Sequence, residues 1–387
     1  MNHIDFSKAI RYIGCDDHSI DLFENQYKVP KGISYNSYLI LDEKVAIMDT
    51  VDRRASQDWL EKLRQGLDGR KPDYLVVHHL EPDHAYHIQL AAELYPEMTI
   101  VASAKAVAMM PQFFTMDFTG RVMAVQEGDK LSLGQHELTF VMAPMVHWPE
   151  VMVSYESSEK VLFSADGFGK FGALDIDDNW DDEARRYYFN IVGKYGGPVQ
   201  TLLKKAAGLD IRTICPLHGP VLTGDLSHYI GKYQTWSSYQ PEEDGVVIAY
   251  ASIHGNTEKA AHKLAEILRQ KGAEQVRLFD LSRSDKSEVV ENAFRYSKLV
   301  LAASSYDGGV FPPMEHLLTT LVSKMYQNRR VALVENGSWG PTAGRVMKSY
   351  VDKLKKIDLC PTMVTIWSTL KDKDLSALEQ LAEELLA

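Results

Sequence analysis

Short hydrophobic runs that alternate with polar positions dominate the first 240 residues of the chain. Two alternating segments between residues 33 and 49 flank the turn sequence Leu-Asp-Glu-Lys and predict a hairpin. After Ser56, which suits a helix N-cap, apolar residues follow at helical spacing over 59–67. Further runs have the length and composition of strands: 74–77, 99–102, 137–142, 151–155 and 160–163. This region is therefore predicted to combine paired strands with a few helices.

The pattern changes after Pro241. Apolar runs alternate there with helical stretches, and the runs cover 246–250, 276–279, 299–303, 331–334 and 363–367. Such β–α units predict a parallel, doubly wound sheet with helices on both faces, in which ligands bind beyond the carboxyl ends of the strands. The sequence thus predicts two domains, 1–240 and 241–387, each long enough to bury its own core.

Composition narrows the class of protein. The 387 residues are 45% hydrophobic and 25% charged, which is typical of globular proteins. The chain has no apolar run of membrane-spanning length and no export signal at its start, so we expect a cytoplasmic protein without a membrane partner. A net charge of -11 without a block of Lys and Arg argues against nucleic acid. Cys15, Cys215 and Cys360 are too scattered for a disulfide framework or a thiolate-ligated iron site.

The first strand of the second domain is followed by a loop of small and hydroxyl-bearing residues and then by an amphipathic helix. Hydroxyls and backbone N–H groups at a helix N-terminus bind phosphate oxygens, and the helix dipole favours the negative charge. The loop lacks the Gly-Lys-Ser/Thr ending of an ATP-binding P-loop and the G-x-G-x-x-G of dinucleotide-binding folds, so FMN, with one terminal phosphate, fits better. The candidate contacts are Ser252, Ile253, His254, Gly255, Asn256 and Thr257.

Two later strand ends also carry small residues and an aromatic side chain. An isoalloxazine ring needs flat apolar faces, which Tyr306 or Trp339 can supply, and backbone donors at its edge. Three such loops at strand ends favour FMN over ordinary connecting turns. The further candidate contacts are Ser304, Ser305, Tyr306, Asp307, Gly308, Asn336, Gly337, Ser338, Trp339 and Gly340.

A cluster of potential metal ligands follows the predicted strand 74–77. The loop holds His79, Glu81, Asp83 and His84, and Pro82 is expected to keep it from continuing as a regular helix or strand. In an extended loop, positions 79, 81 and 83 project to similar sides, whereas Asp83 and His84 together can reach a second centre. Candidates at later strand ends are His147, Asp166 and His218, and six or seven such ligands suffice for a bridged two-metal site.

The ligand types limit the choice of metal without fixing it. Four imidazoles and three carboxylates, with no thiolate, suit zinc, manganese or iron. Glu81 adds a third carboxylate, which favours a higher oxidation state, and a flavin domain supplies electrons that iron accepts and zinc does not. We therefore predict iron. His78 and His87 are interpreted as supporting or structural residues.

With these seven residues ahead of a flavodoxin-type domain, the sequence resembles the flavodiiron proteins (A-type flavoproteins) over nearly its whole length. Segments 21–25, 34–40, 147–149 and 218–220 also resemble that family. The resemblance implies a metallo-β-lactamase-like αββα sandwich with a non-haem di-iron site, followed by a doubly wound flavodoxin-like FMN domain. It implies one iron bound by His79, Glu81 and His147, another bound by Asp83, His84 and His218, a bridging Asp166, and a nearby hydroxyl from Tyr195.

The family's reaction is reduction of O2 to water, of NO to N2O, or both. The resemblance implies that FMN feeds electrons to the irons and that an external donor, such as a rubredoxin or a reduced deazaflavin, reduces the FMN. It also implies a head-to-tail homodimer or homotetramer, so that one subunit's flavin faces another's irons. Two features depart from the family: the interval from Asp166 to His218 is short, which bears on access to the pocket, and His254 stands in the phosphate loop, where it bears on flavin potential.

Two other functions remain open at this point. One is a zinc or manganese hydrolase of the metallo-β-lactamase-like class with an appended flavodoxin domain. The other is a non-catalytic electron carrier whose metal loop is structural. Metal analysis and mixing of the reduced protein with O2 or NO separate these readings.

Overall fold

The chain folds into two units in a computed structural model that describes residues 7–387. The first unit runs to Tyr188 and resumes over Tyr195–Gln234, and the second comprises Phe189–Lys194 and Thr235–Ala387. The sequence pattern predicted one boundary, after residue 240, and did not predict the excursion over Phe189–Lys194. Its physical reason is apolar packing, because the Phe189 ring stacks on Phe294 of the second unit with centroids 4.3 Å apart.

The first unit is built on short strands. In chain order they are β1 (Ile10–Tyr12), β2 (Cys15–Asp17), β3 (Leu22–Phe23), β4 (Tyr27–Lys28), β5 (Ile33–Tyr35), β6 (Tyr38–Leu41), β7 (Val45–Met48), β8 (Tyr74–Val77), β9 (Thr99–Ser103), β10 (Val122–Val125), β11 (Lys130–Ser132), β12 (Glu137–Met142), β13 (Met152–Glu156), β14 (Val161–Phe163) and β15 (Thr213–Cys215). The strands predicted from the sequence are among them, and β6 and β7 form the predicted hairpin. Residues 33–35, which were predicted to belong to its first strand, instead form β5, which pairs with β2.

Two sheets face one core in this unit. The first has the order β1-β6-β7-β8-β9-β10, with parallel pairing from β7 to β10. The second has the order β11-β12-β13-β14-β15 and is antiparallel except for the parallel pair β14–β15. Buried side chains of both sheets, such as Val76 and Val101 from one and Phe140 and Phe163 from the other, share a single hydrophobic cluster. The expected sandwich is confirmed.

Helices connect these strands: α1 (Ser56–Leu67), α2 (Pro82–Ala85), α3 (Ile88–Leu94), α4 (Ala104–Met109), α5 (Trp180–Tyr187) and α6 (Gly196–Ala206). A further helix, α7 (Ser227–Ser237), follows β15 and includes the unit boundary after Gln234. The prediction that Ser56 is the N-cap of α1 is wrong. Ala55 holds that position, and the Ser56 hydroxyl donates to the Arg53 carbonyl oxygen at 2.5 Å. Within residues 7–387, no helix is both long enough and apolar enough to cross a bilayer.

His136, between β11 and β12, contacts carboxylates from two other strand connections, β6–β7 and β13–β14. Its Nδ1 lies 2.7 Å from Asp42 Oδ2, and its Nε2 lies 3.3 Å from Glu159 Oε1. Burial alone lowers the pKa of this imidazole, but the hydrogen bonds to Asp42 and Glu159 and the charge of Glu156 raise it above the ordinary value of 6.5. The protonated form is therefore stabilised in the folded protein.

We expect His136→Gln to reduce the free energy of unfolding more at about pH 6 than at about pH 9. A raised pKa in the folded state gives a stabilisation that is fully present below the unfolded-state pKa and is lost as the pH rises through the folded-state pKa. Urea unfolding of the parent and the variant at both pH values measures the change in the free energy of unfolding. The contributions of other titrating groups are the same in both proteins and cancel in this difference. An equal loss at both values, or a larger loss at the higher pH, contradicts the prediction.

The second unit contains the predicted parallel sheet. Its strands are β16 (Glu243–Ala251), β17 (Val276–Asp280), β18 (Tyr296–Tyr306), β19 (Gly309–Val310), β20 (Gln327–Asn336) and β21 (Lys355–Ile366). Its helices are α8 (Asn256–Gln270), α9 (Lys286–Arg295), α10 (Pro312–Ser323), α11 (Ala343–Val351) and α12 (Asp372–Leu386). The parallel order is β17-β16-β18-β20-β21, and the short β19 pairs antiparallel with β18. This doubly wound order places the loops after β16, β18 and β20 at one edge of the sheet.

Candidate metal and flavin sites

The first ligand loop begins at the carboxyl end of β8 and contains a helical turn. Pro82 is the first residue of α2, where its missing N–H costs nothing, and Glu81 precedes it as the N-cap. The expectation that Pro82 excludes helix, and that the whole loop is extended, is therefore wrong. With this turn, Asp83 and His84 belong to a different group from His79 and Glu81, so one short segment supplies both groups.

The structure brings all seven predicted metal residues together in two groups. The first group comprises His79, Glu81, His147 and Asp166, and the second comprises Asp83, His84 and His218. Within each group, one ligand-type atom from every residue lies within 4.8 Å of the others. These distances suit two cations that each bind several imidazole and carboxylate ligands.

Asp166 lies between the two groups. Its Oδ2 is 3.3 Å from His79 Nε2 and 3.2 Å from His147 Nε2, both in the first group. Its Oδ1 is 3.3 Å from His84 Nε2 and 3.8 Å from His218 Nε2, both in the second. One oxygen thus faces each group, which is the arrangement that a carboxylate needs to bridge two metal ions.

The parallel pairing of β14 and β15 aligns Asp166 with His218. Both residues follow the ends of these strands, and the pairing continues beyond them as a hydrogen bond from Leu217 N–H to the Ala165 carbonyl oxygen at 2.9 Å. The short interval between Asp166 and His218 therefore does not prevent the two side chains from meeting. The interval holds α5 and α6.

Most of the candidate ligand atoms are buried and lack hydrogen-bond partners. Both carboxylate oxygens of Asp83 and of Asp166, and the Nε2 atoms of His84, His147 and His218, are in this state. A buried polar atom without a hydrogen-bond partner costs about 1–3 kcal/mol. A cluster of such atoms therefore indicates that a bound group satisfies them. A pair of bound cations satisfies them, and the residues therefore fit a two-metal site.

Charge at the site favours cations as well. Burial alone raises the pKa of a carboxyl, but the imidazoles of His147 and His84 hold the pKa of Asp166 well below its usual range. Burial likewise opposes protonation of His147, yet Asp166 and Glu81 raise its pKa to about 9. The group of carboxylates thus attracts positive charge strongly, which metal ions supply at neutral pH.

Two of the imidazoles are oriented through their second ring nitrogens. His79 Nδ1 lies 2.7 Å from Glu150 Oε1, and the same oxygen accepts the Leu80 N–H at 3.0 Å. His218 Nδ1 lies 2.7 Å from the Ser34 carbonyl oxygen. Such contacts fix the tautomer that leaves Nε2 free to bind a metal. The sequence reasoning missed Glu150, although its position three residues after His147 was a usable signal.

Aromatic side chains surround the candidate ligands. The Tyr187 ring lies 5.5 Å from the His218 ring, and Trp148 meets His79 edge-on at 5.1 Å. Sequence reasoning singled out neither of these two. Tyr195, predicted to provide a hydroxyl near the metals, is half-buried in the 3-10 turn Gly193–Tyr195, and its role stays a prediction.

The first flavin loop has the features of a phosphate site. Gly255 caps α8 with φ of +81°, a conformation that favours glycine. The Ser252 hydroxyl oxygen is buried without a hydrogen-bond partner, and Thr257 Oγ1 lies 2.8 Å from Ser304 Oγ. Ile253 and His254 are exposed. An orphaned hydroxyl beside a helix N-terminus fits a bound phosphate group.

In the other two predicted flavin loops, some side chains make hydrogen bonds within the protein and others are exposed. Ser305 Oγ accepts the N–H groups of Thr342 and Ala343 at the start of α11, and Asn336 Nδ2 donates to the Ser368 carbonyl oxygen. Tyr306 and Trp339 are 45% and 92% exposed, so their faces are open to a planar ring. Ser368, in the loop after β21, contacts Ser338 through their hydroxyl oxygens at 2.6 Å. The sequence did not predict that this loop lies beside the third flavin loop. The FMN contacts of Asp307, Gly308, Gly337 and Gly340 stay predictions.

Comparison with known proteins agrees with the two kinds of domain described above. Residues 33–219 match the ODP family beta lactamase, and residues 248–357 match the flavodoxin family. The chain is 31% identical to a nitric oxide reductase of Moorella thermoacetica, with 98% of this chain and 97% of that protein covered. It is 32% identical to the putative diflavin flavoprotein A 2 of Synechocystis sp., with 84% of this chain covered but only 57% of that longer protein.

Among solved structures, the chain is similar to rubredoxin oxygen:oxidoreductase from Desulfovibrio gigas. The TM-score is 0.93 at 27% sequence identity, with 99% of this chain and 98% of that chain covered. The fold therefore agrees over nearly the whole of both chains. This chain belongs to the flavodiiron proteins, an oxidoreductase family whose cofactors are FMN and two non-haem irons.

Proposed function

We propose that this flavodiiron protein reduces O2 to water, NO to N2O, or both. The observation that carries the proposal is Asp166, whose two oxygens face the two groups of buried, unpartnered ligand atoms. The names of the relatives support it, because one is a nitric oxide reductase and another is a rubredoxin oxygen:oxidoreductase. When bound, FMN supplies electrons and the iron pair binds and reduces the diatomic substrate.

The chain's own residues prepare the site for this chemistry. His79, Glu81 and His147 would hold one iron and Asp83, His84 and His218 the other, with Asp166 shared. Glu150 and the Ser34 carbonyl oxygen keep two imidazoles in the metal-binding tautomer. Trp148 and Tyr187 pack against His79 and His218 and keep bulk water from those ligands.

We further propose an external electron donor, rubredoxin or a reduced deazaflavin, and a cytoplasmic setting. We also propose a head-to-tail homodimer or homotetramer that places one subunit's flavin against another's irons. Turnover per flavin then falls as the protein is diluted to a verified monomer. Full turnover in the monomer contradicts this assembly.

The experiment that tests the activity mixes the anaerobically reduced protein, containing FMN and iron, with O2 or with NO. We expect rapid reoxidation, with four electrons consumed per O2 and no hydrogen peroxide, or with one N2O formed per two NO. Gas chromatography and an oxygen electrode measure both. Slow reoxidation without either stoichiometry indicates an electron carrier, and zinc without iron in protein purified from its native source indicates a hydrolase.

A further inference from the structure

A buried polar chain lies directly beside the first metal ligand. His78 Nδ1 is 2.5 Å from Asp49 Oδ2, and His78 Nε2 is 2.8 Å from Ser154 Oγ. All three residues are at most 2% exposed. A buried chain of this kind, in which each member has its partner, fixes side chains in one arrangement.

The chain connects the two sheets of the first unit. Asp49 follows β7 and His78 follows β8, both in the first sheet, whereas Ser154 lies on β13 in the second. The His78 ring also stacks on Phe163 of the second sheet at a tilt of 17°, with centroids 6.3 Å apart. His78 is therefore held from both sides of the sandwich at the point where the ligand loop begins.

The backbone of His78 is fixed in the same way. Its N–H donates to Asp49 Oδ1 at 2.7 Å, and its carbonyl oxygen accepts the Met152 N–H at 3.2 Å. On the other side of His79, the Leu80 N–H donates to Glu150. The ligand His79 thus stands between two anchored peptide groups, and its freedom depends on both.

We propose that His78 is a positioning residue of the metal centre, which with Asp49 and Ser154 sets the place of His79 across the two sheets. The inference rests on the proposed function only in that it takes the two groups to be metal sites. It assigns a role in the metal centre to a histidine that is itself absent from both groups. Loss of the imidazole should therefore weaken metal binding at the first group in a protein that is still folded.

The test loads the metal-free full-length protein with Co2+ and follows its visible absorption, with circular dichroism to establish that each variant is folded. We expect His78→Asn to lower Co2+ affinity at the first group by about 10–100-fold and to shift the absorption bands, as the removal of supporting partners does elsewhere. Ser154→Ala, which removes only one hydroxyl, should change affinity and bands in the same direction and less. It keeps the test decisive if His78→Asn does not fold.

His136→Asn is the matched control, because His136 is also buried and bonded to two polar side chains but lies outside both metal groups. We expect it to lose stability and to keep the Co2+ affinity and spectrum of the parent protein. The inference is overturned if folded His78→Asn binds two Co2+ ions like the parent. It is also overturned if Ser154→Ala does so when His78→Asn does not fold, or if His136→Asn changes the spectrum as much as the test variants do. Neither measurement needs O2 or NO turnover, so failure of the proposed activity would be seen separately.

Discussion

Replacement of Asp166 by Ala is expected to abolish reduction of O2 and NO, with turnover falling at least about 1000-fold. The reason is geometric, because this one carboxylate serves both groups of ligands. Its loss leaves three candidate ligands in each group and removes the negative charge that lies between the two groups. We expect iron content to fall together with turnover, and elemental analysis of the purified variant measures the iron.

Glu156→Gln is the control for this change. Glu156 is a fully buried carboxylate on β13, and its oxygens accept the backbone N–H groups of Ser158 and Glu159. It belongs to neither metal group, so its removal should lower stability but leave two irons in place. An Asp166→Ala protein that retains two irons and parental turnover would show that Asp166 is not shared between the metals.

Introducing a carboxylate at Ser252 should have the second largest effect. Ser252 Oγ is buried and unpartnered in the loop before α8, where we expect the FMN phosphate. Like charges about 4 Å apart near a protein surface repel by about 4 kcal/mol, so Ser252→Asp should weaken FMN binding by at least about 100-fold. Quenching of flavin fluorescence during titration of the flavin-free protein measures the affinity.

The same substitution at Ser282 provides the comparison. Ser282 is exposed after β17, a strand whose following loop is not among the predicted flavin loops. Ser282→Asp should therefore bind FMN with the parent's affinity, although it changes the net charge by the same amount. Equal weakening by both substitutions would point to a general charge effect, and no weakening by Ser252→Asp would place the phosphate elsewhere.

The parts of this protein that were predictable from its sequence are those that local patterns encode. The seven candidate metal residues could be recognised because four stand in one loop and the others follow strand ends, where functional side chains are often found. The parallel sheet could be recognised because its apolar runs alternate with helices.

The features that the sequence did not reveal depend on contacts between residues that are distant in the chain or on the surrounding fold. A proline can end a regular element or begin a helix, and the sequence alone does not say which. In the folded protein Pro82 begins α2. Ser305 carries a hydroxyl that suits a ligand, yet it accepts two N–H groups at the start of α11, which lies two strands and a helix away in sequence. Glu150 becomes important only when folding brings it against His79. No periodicity records such long-range contacts.

The excursion of Phe189–Lys194 has a consequence for dissecting the molecule. Since this stretch belongs to the second unit but is encoded within the first, no single cut of the polypeptide yields two complete halves. A fragment ending after residue 234 would carry Phe189 without the ring of Phe294, and the remaining fragment would have a gap beside that ring. Recombinant halves of this protein should therefore be insoluble or poorly stable unless they are produced together.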